Sequence, residues 1–436
     1  MLNYITHGGK KMEKYQIHRN IICIDLKSFY ASVECALRGL DPFETMLVVA
    51  DKSRGDGSIC LATTPYLKLL GAKSRGRIFE LPEHLKDKII YARPRMKTYL
   101  EYTMKLIEIY LSFIADEDLY VYSIDEAFLD VTNYLNYYKV SDVELAEMII
   151  NKINTELKLP VSCGIGPNML LAKLALDIEG KHLKGKPAKW TYDNFKEKLW
   201  PVTPLSKMWG IGRRMEHHFN IMGIYTVGDL ANYNVNELKR RFGVIGEELY
   251  YHANGIDSSL VQDKYKLRSK SKSFGNSQVL FEDYYVPEIY TIILEMIDEL
   301  TRRLRLAKKE GKTLTLGIRY SKDVGGGFSR QRQLENPSSS FSDIFKLALS
   351  IFNDHYDGES AIRAVSVSIS SLCEISSVHQ LSLFEDYEKI EREERLLHAL
   401  DELKLHFGKN SVNRLSSLTE ASTIKERNKF IGGHHE

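Results

Sequence analysis

The first hydrophobic run of the chain predicts a buried strand followed directly by a helix. Residues 20–25, NIICID, are rich in β-branched side chains, which favours a strand. In the next segment, SFYASVECALRGL, apolar residues recur four apart, which predicts one face of a helix that begins at about Ser28. Asp25 is therefore expected at the point where the strand ends and the helix begins.

The alternation of strand and helix continues along the first part of the chain. Two stretches with helical periodicity, residues 97–114 and 141–157, flank the segment YVYSIDEAFLDVT (120–132), which alternates like two short strands. LPVSCGIG (159–166) predicts a strand that ends in glycines, and NMLLAKLALDI predicts the next helix. This order of elements is typical of an α/β domain.

The pattern changes beyond this first domain. Short helices with tight turns come first, and then a segment without hydrophobic period, VQDKYKLRSKSKSFG (261–275), in which Lys and Arg outnumber Asp. After it, helical segments at 286–309 and 341–356 and alternating strands at 313–320 and 364–372 predict an α+β domain. The remaining residues are mostly polar.

Composition excludes several classes of protein. The chain has 436 residues, 43% of them hydrophobic and 27% charged, with a formal net charge of +2, so the total charge indicates no partner. Its five cysteines show no metal-ligand spacing and predict reduced thiols in a cytoplasmic protein. Neither a signal peptide nor an apolar run long enough to span a bilayer is found, so no membrane partner is expected.

Asp125 and Glu126 are the unusual feature of the predicted hairpin, because adjacent carboxylates repel each other. A solvated turn would explain them, but their neighbours are apolar and Asn-Gly or Asp-Gly would make a better turn. Asp25 ends a strand that can lie beside this hairpin, and clustered acids in a core need cations. Three such acids suit Mg²⁺ and two-metal phosphoryl displacement. Polymerases, nucleotidyl cyclases and some nucleases share that chemistry, and the acids alone do not choose among them.

Three segments together resemble one known family. DLKSFYASVE (25–34), YSIDEAFLD (122–130) and GIGPNMLLAKLA (164–175) are similar to the motifs of Y-family, UmuC-type translesion DNA polymerases. The resemblance implies a multidomain α/β and α+β fold, the right-hand polymerase, with palm, small fingers, helical thumb and α+β little finger. The expected domains are a polar N-terminal tail at 1–19, the palm at 20–40 and 95–197, the fingers at 41–94, the thumb with its helix-hairpin-helix at 198–260, a basic linker at 261–275, the little finger at 276–373, and a C-terminal tail at 374–436.

The resemblance assigns a metal site to the three acids. Asp25, Asp125 and Glu126 are implied as the catalytic ligands of two Mg²⁺ ions, with the backbone carbonyl of Leu26 as a further ligand. The glycine turn of GIGPNMLLAKLA is implied to be structural rather than a phosphate cradle, although a helix N-terminus can hold an anion.

Four residues are implied to bind the incoming dNTP: Phe29, Tyr30, Lys68 and Lys181. Tyr30 falls at the steric gate of the family, where its ring would exclude a 2′-hydroxyl. Without the motif, it would be interpreted as a half-buried aromatic residue on a helix. Lys68 matches a fingers cation that reaches the triphosphate. Lys181 is the candidate for the second cation, one residue later than the family pattern, with Gly180 at the usual place. On their own, both lysines would read as ordinary surface residues.

Two regions are implied to bind primer-template DNA. PLSKMWGIGRRMEHHF resembles a helix-hairpin-helix whose glycine turn would offer N–H groups to a phosphate, independently of sequence. In the linker and the domain after it, alternating cations would follow the DNA backbone from one side of an extended chain. A simple helix turn and a solvated linker are the alternatives. The expected contacts in the two regions are Gly210, Gly212, Arg213, Arg214, Lys270, Lys272, Arg330 and Arg332.

A short apolar peptide, QLSLF, stands alone in the polar C-terminal stretch. It resembles the peptide with which bacterial proteins bind the sliding clamp, the β subunit, and it implies contacts from Gln380, Leu381, Leu383 and Phe384. Leu383 and Phe384 would fill a pocket while Gln380 makes polar contacts. A short strand or a packed tail is the alternative.

The sequence therefore predicts a DNA-directed DNA polymerase that inserts dNTPs across damaged template with low fidelity, at the nucleoid in the cytoplasm. A short fingers segment rich in Gly, Ala and Thr would tighten little around a new base pair, which favours weak discrimination. One alternative is a catalytically weak, UmuC-like DNA- and clamp-binding partner that needs an accessory subunit. A nucleotidyl cyclase would share the acids but would need neither the hairpin nor the clamp peptide.

We expect Leu383→Ala/Phe384→Ala to weaken binding to the bacterial sliding clamp by at least about 100-fold, because each apolar anchor contributes roughly 1.5–3 kcal/mol when buried. Surface plasmon resonance on immobilised clamp measures the affinity. Ser382→Ala, at the variable position of the peptide, is the control and should bind as the parent does. Unchanged binding of the double variant would remove this peptide as the clamp contact.

Overall fold

The first buried strand, β1 (Ile21–Leu26), is the central strand of a five-stranded sheet. The computed structural model describes residues 13–265, 273–375 and 387–435. The chain divides into two units, residues 1–268 and 269–436, each with a sheet of its own. The expected DNA contacts Lys270 and Lys272, and the clamp contacts Gln380, Leu381, Leu383 and Phe384, lie outside the described residues.

The elements of the first unit follow the alternation that the sequence predicts. In chain order they are β1, α1 (Phe29–Leu37), β2 (Leu47–Val49), β3 (Ile59–Cys60), β4 (Ala62–Thr63), α2 (Pro65–Leu69), β5 (Gly76–Arg77), β6 (Ile90–Ala92), α3 (Met96–Leu111), β7 (Leu119–Val121), β8 (Glu126–Asp130), α4 (Leu135–Tyr138), α5 (Asp142–Leu157), β9 (Val161–Gly166), α6 (Met169–Ile178), β10 (Pro187–Lys189), α7 (Phe195–Leu199), α8 (Arg213–Ile221), α9 (Val227–Ala231), α10 (Val235–Phe242) and α11 (Val244–Ala253).

Hydrophobic clusters divide this unit into parts. The largest cluster joins the central sheet to α1, α3 and α5. A small second cluster lies within residues 48–89, between the short strands that follow α1. A third lies within residues 170–253 and joins α6 to the short helices after it. The second cluster lies within the segment expected as fingers, whereas the third spans the expected boundary between palm and thumb.

The two faces of the central sheet have different covers. Its strand order is β10-β9-β1-β8-β7, and β1 pairs antiparallel with both β8 and β9. Because side chains alternate along a strand, Ile22 and Ile24 face α3 and α5 in the main core. Cys23 and Asp25 face the opposite side, where α6 packs against the sheet. The end of β1 therefore presents its carboxylate on the face that α6 covers.

Glycines allow α6 to lie very close to the sheet. A Cβ atom on Gly164 would be 2.2 Å from the backbone oxygen of Ala172, and one on Gly166 would be 2.5 Å from its backbone nitrogen. Gly180, just after the helix, approaches the carbonyl oxygen of Cys163 in the same way, with 2.4 Å to a Cβ. Helix packing thus explains the glycines of the GIG segment.

The second unit is an antiparallel sheet covered on one face by two helices. Its strand order is β11-β14-β12-β13, and its main core lies between the sheet and the helices α12 and α13. In chain order its elements are β11 (Ser273–Tyr284), α12 (Glu288–Leu306), β12 (Lys309–Tyr320), β13 (Gly327–Ser338), α13 (Phe341–His355), β14 (Ile362–Glu374), α14 (Tyr387–Phe407), α15 (Ile424–Arg427), β15 (Phe430–Ile431) and β16 (His434–His435).

The face of this sheet opposite the helices carries small hydroxyl and amide side chains. Strand register places alternate residues of all four strands on this face. They are Ser273, Gly275 and Ser277 of β11, Thr313, Thr315 and Gly317 of β12, Ser329, Gln331 and Gln333 of β13, and Ser366, Ser368 and Ser370 of β14.

The polar C-terminal stretch differs from the expectation of a tail, because residues 387–435 fold onto α12. Arg305 of α12 makes two hydrogen bonds to Asp401 of α14, at 2.7 and 3.0 Å. The carboxylate of Asp298 accepts from Lys404 and Arg414. These ion pairs join charged helix faces, which hydrophobic periodicity did not predict.

We expect Gly164→Ala to lower the free energy of unfolding of the first unit by about 1–3 kcal/mol or more, because the added methyl group overlaps the backbone of α6. Thermal unfolding followed by circular dichroism measures the change. Gly57→Ala is the matched control, since a Cβ there meets nothing within 4 Å. Equal melting temperatures for the two variants would contradict the close packing.

Candidate active site

Strand pairing brings the three predicted acids to one end of β1. Asp25 lies directly opposite Glu126 of β8, and the backbone N–H of Leu26 donates to the carbonyl of Asp125 at 3.0 Å. The hydroxyl of Ser123 donates to the Asp125 carboxylate at 2.8 Å. The hairpin beside the strand is therefore confirmed, with Asp125 in its loop and Glu126 as the first residue of β8.

Two lysines form ion pairs with these carboxylates, one with Glu126 and the other with Asp25. Lys173 of α6 places its ammonium 2.7 Å from Glu126, and Lys181 places its own 3.2 Å from Asp25. Asp177 joins the two lysines, at 3.2 Å from Lys173 and 2.7 Å from Lys181. The repulsion between the acids is thus balanced by cations of the chain itself.

The pKa of Asp25 is shifted mainly by the burial of its carboxyl group. Burial raises the pKa of its carboxyl from 3.8 to about 6; Lys181 opposes that rise, while Asp125 and Glu126 add to it. For Lys181, burial acts to lower the pKa, but the Asp25 and Asp177 carboxylates outweigh it and the pKa is raised. Burial is therefore the main cause of the raised pKa of Asp25, and the neighbouring carboxylates add to it.

The donor set suits a divalent cation. In the three described ranges, no group of three or more His, Cys, Asp or Glu side chains is already arranged as a metal cage. Asp25, Asp125 and Glu126 nevertheless supply hard oxygen donors, and the raised pKa of Asp25 indicates a place where added positive charge is favourable. The residues fit Mg²⁺ in chemistry, with Lys173 now occupying an oxygen of Glu126.

The ring of Tyr30 is held beside the acids by a second aromatic ring. Tyr30 stacks on Tyr99 of α3 with centroids 4.5 Å apart and planes 22° apart. The Tyr99 hydroxyl donates to Glu34 at 2.9 Å, and Arg95 makes two hydrogen bonds to the same fully buried carboxylate. Burial raises the pKa of Tyr30, and the charge of Asp125 adds to that rise.

The remaining predicted nucleotide contacts lie close by. Phe29 is buried in the main core at the start of α1. Lys68 of α2 donates to the hydroxyl of Ser28 at 2.8 Å; burial lowers its pKa, while Asp25 opposes that effect. Ser28 occupies the N-cap position of α1, but its side chain makes no capping hydrogen bond. Lys181 reaches Asp25 despite its displacement by one residue.

The expected helix-hairpin-helix has an exposed glycine turn. Gly210 has a φ of 92°, which favours glycine, and a Cβ on Gly212 would meet nothing within 4 Å. Arg213 and Arg214 begin α8 and are exposed. Trp209 packs edge-on against Tyr122, with ring centroids 5.9 Å apart, which ties the turn to the loop of the acids.

Arg330 and Arg332 share one side of β13, as the alternation predicts. They lie opposite Leu316 and Leu314, so their side is the face that the helices cover. Arg332 donates to the Asp354 carboxylate of α13 at 2.8 Å, whereas Arg330 is exposed. Their role in DNA binding stays a prediction.

Sequence reasoning missed Lys173, Asp177 and the side chains that support Tyr30, whereas Lys181 was among the predicted nucleotide contacts. Lys173, Asp177 and Lys181 are each four residues apart, so helical spacing was the available signal for one charged face. Glu34 and Tyr99 gave no signal of their own, because a lone acid and a lone aromatic on helices are ordinary features. Their contact with Tyr30 depends on how α1 and α3 pack.

The architecture is that of a right-hand polymerase. The acids lie on a palm-like sheet, a small hydrophobic cluster follows α1, and a helical hairpin and a unit with its own sheet come after them. A family model described as the impB/mucB/samB family matches residues 24–177, and the model of its C-terminal domain matches residues 271–383. A model described as the DNA polymerase-iota thumb domain matches residues 206–257.

Similar proteins agree with these matches. The UV-damage repair protein UvrX of Bacillus subtilis is 41% identical over 95% of this chain and 97% of its own length. DNA polymerase IV 2 of the same organism is 34% identical over 95% of this chain and 98% of its own. A solved Y-family DNA polymerase chimera of Dbh and Dpo4 superposes with a TM-score of 0.63 over 81% of this chain and 99% of that one, at 21% identity.

The chain belongs to the Y family of translesion DNA polymerases. The predicted fold class and the predicted enzyme class, a DNA-directed DNA polymerase, are thereby confirmed, and the nucleotidyl cyclase is excluded. Such an enzyme binds a DNA template. Among the described residues, no helix has the length and apolar character needed to cross a membrane.

We expect Asp25→Asn to stabilise the protein at pH 7.5 in a chelating buffer. A carboxyl whose folded pKa is raised contributes its stability below its unfolded value of 3.8 and loses it as the pH rises through about 6. The difference corresponds to at most about 3 kcal/mol at pH 7.5 and should shrink steadily toward pH 4.

Melting temperatures across this pH range measure the effect. Asp87→Asn, an exposed acid of the same unit, is the control and should show no such pH-dependent gain. A loss of stability in Asp25→Asn at pH 7.5 would contradict the raised pKa of Asp25.

Proposed function

We propose that this polymerase extends a primer by two-metal phosphoryl transfer at Asp25, Asp125 and Glu126, with low fidelity across damaged template. The observation that carries the proposal is the position of these acids at one end of β1, beside the stacked ring of Tyr30. In the reaction, the primer 3′-hydroxyl attacks the α-phosphate of a dNTP and pyrophosphate leaves.

Mg²⁺ is the cofactor that this donor set fits. Asp25, Asp125 and Glu126 would hold two ions, with the Leu26 carbonyl as a further ligand. When bound, the ions would activate the attacking hydroxyl and neutralise charge on the leaving phosphates.

Side chains around the acids have complementary tasks. Lys68 and Lys181 carry positive charge next to Asp25, where they can attract the triphosphate of the nucleotide. Phe29 fixes the start of α1, and Tyr30 presents its ring where a 2′-hydroxyl would have to fit. A rigid ring there excludes ribonucleotides by overlap, and Tyr99 limits how far that ring can move.

Low fidelity follows from the small size of the fingers. The hydrophobic cluster within residues 48–89 contains only nine buried residues, built on strands of two or three residues. A small lid of this kind contributes few contacts that differ between a correct and an incorrect base pair. The same property would tolerate a distorted template base.

DNA would be held by contacts that do not depend on sequence. Gly210, Gly212, Arg213 and Arg214 form an exposed turn and helix start suited to a backbone phosphate. The hydroxyl-rich face of the second sheet offers donors for phosphate oxygens, and Arg330 is an exposed cation of the same unit. The clamp peptide, an accessory protein and a place at the nucleoid in the cytoplasm complete the proposal.

We expect Asp125→Ala/Glu126→Ala to abolish primer extension with dNTPs and Mg²⁺, because the double variant removes two of the three metal-binding carboxylates. Gel analysis of a labelled primer, with and without sliding clamp, measures extension. Glu117→Ala, an exposed acid of the same unit, is the control and should extend normally. Single-nucleotide reactions in the same assay report misinsertion, which should exceed that of a replicative polymerase.

Two results would contradict the proposal. Extension by the double variant would place the metals elsewhere. Failure of the parent chain, even with clamp, would favour the alternative of a DNA- and clamp-binding partner that needs an accessory subunit. Replicative accuracy in the single-nucleotide reactions would remove low fidelity.

We expect Tyr30→Ala to raise incorporation of ribonucleotides relative to deoxynucleotides by at least about tenfold, because the ring no longer overlaps the 2′-hydroxyl. Single-turnover kinetics with rNTP and dNTP measure the ratio. Tyr30→Phe keeps the ring and should keep the discrimination. An unchanged ratio in Tyr30→Ala would mean that another residue is the steric gate.

A further inference from the structure

Five charged side chains form a continuous row of ion pairs, alternating in sign, on the α6 side of the central sheet. It runs from Glu126 through Lys173, Asp177 and Lys181 to Asp25. The four distances are 2.7, 3.2, 2.7 and 3.2 Å in that order. Asp177 is the middle link and contacts both lysines.

Of the two lysines in this row of ion pairs, Lys173 is the more enclosed. Its side chain is 8% exposed, and that of Glu126 is 10% exposed. A buried ammonium group without a carboxylate partner is strongly unfavourable. Lys173 has two such partners, Glu126 of β8 and Asp177 of α6, so it can give up one of them and still remain paired with the other.

We propose that Lys173 is an internal counter-cation that exchanges partners: it binds Glu126 while no divalent ion is present, and it rests on Asp177 when Glu126 becomes a ligand. The proposal rests on the function assigned above, because it presumes a cation at Asp25, Asp125 and Glu126. Asp177 is then a positioning residue, which receives Lys173 and keeps Lys181 directed at Asp25.

The position of α6 explains why the exchange involves side chains alone. Gly164 and Gly166 bring the backbone of α6 into contact with β9, so the helix has no room to move closer. Lys173 and Asp177 are one helical turn apart on α6 and move as one body with it. Only the long lysine side chain can shift between its two carboxylates.

The contacts of Lys173 favour the same exchange. Lys173 is paired with one oxygen of Glu126, so it competes with a metal ion for that oxygen. Other positive charges, on Lys181, Lys27 and Lys68, lie near Asp25 rather than at Glu126. A divalent ion that takes the Glu126 oxygen would leave Lys173 paired with Asp177.

The experiment measures Mn²⁺ binding to the full chain by electron paramagnetic resonance of the free ion, together with melting temperatures in chelator. We expect Lys173→Met to raise Mn²⁺ affinity by about tenfold, since a close charge shifts a carboxylate equilibrium by at least that order. Lys27→Met is the matched control: its ammonium lies near Asp25 but donates to the backbone carbonyl of Lys181 at 2.9 Å. We expect the control to change affinity by less than about threefold.

A second variant keeps the proposal testable if Lys173→Met does not fold. Asp177→Asn leaves Lys173 with Glu126 as its one remaining charged partner, so Mn²⁺ affinity should fall by about tenfold. Glu179→Gln is its control, because Glu179 bonds to Lys198 and Trp190 instead. Equal effects of Lys173→Met and Lys27→Met, or of Asp177→Asn and Glu179→Gln, would show an unspecific field effect and overturn the exchange.

Asp25→Asn separates this inference from the proposed function. Loss of Mn²⁺ binding in Asp25→Asn, with a specific gain in Lys173→Met, supports both. Loss in Asp25→Asn with no difference between the two lysine variants overturns the exchange alone. Unchanged Mn²⁺ binding in Asp25→Asn would overturn the metal site itself.

Discussion

Repulsion between carboxylates at one end of a buried strand is the constraint on which this molecule depends. Asp25, Asp125 and Glu126 are neighbours through strand pairing and cannot separate without breaking the sheet. Burial raises the pKa of Asp25 to about 6, so negative charge there is kept at a cost. A site with these properties binds cations favourably, and phosphoryl transfer of this kind requires bound metal cations.

The surrounding fold makes that concentration of charge tolerable. Close packing of α6 on β9, which Gly164 permits, brings Lys173 to Glu126. Lys181, in the short turn just after α6, reaches Asp25. The chain thus carries its own counter-charges next to the acids, and it places the ring of Tyr30 on a support, Tyr99, that is itself fixed by hydrogen bonds.

Much of this arrangement could be predicted from local sequence. The β-branched content of NIICID located β1, and helical periodicity located α3 and α5, which bury one apolar face each. Adjacent acids among apolar neighbours indicated the site, because clustered carboxylates in a core are unfavourable unless cations neutralise them. The family resemblance then supplied roles that composition and spacing could not.

What could not be predicted depends on contacts between distant elements. The stack of Tyr30 on Tyr99 requires the packing of α1 against α3. The fold of α14 onto α12 depends on ion pairs such as Arg305 with Asp401, and charged residues on a helix ordinarily indicate a solvated face. Edge strands β11 and β13 were missed because polar side chains occupy both of their faces at many positions.

The most direct test of the account is a crystal structure of the complex with primer-template DNA, Mn²⁺ and a non-reactive dNTP analogue, with anomalous scattering to locate the metal. Manganese peaks are expected about 2 Å from carboxylate oxygens of Asp25, Asp125 and Glu126. Manganese bound away from these three acids, with the nucleotide in place, would contradict it.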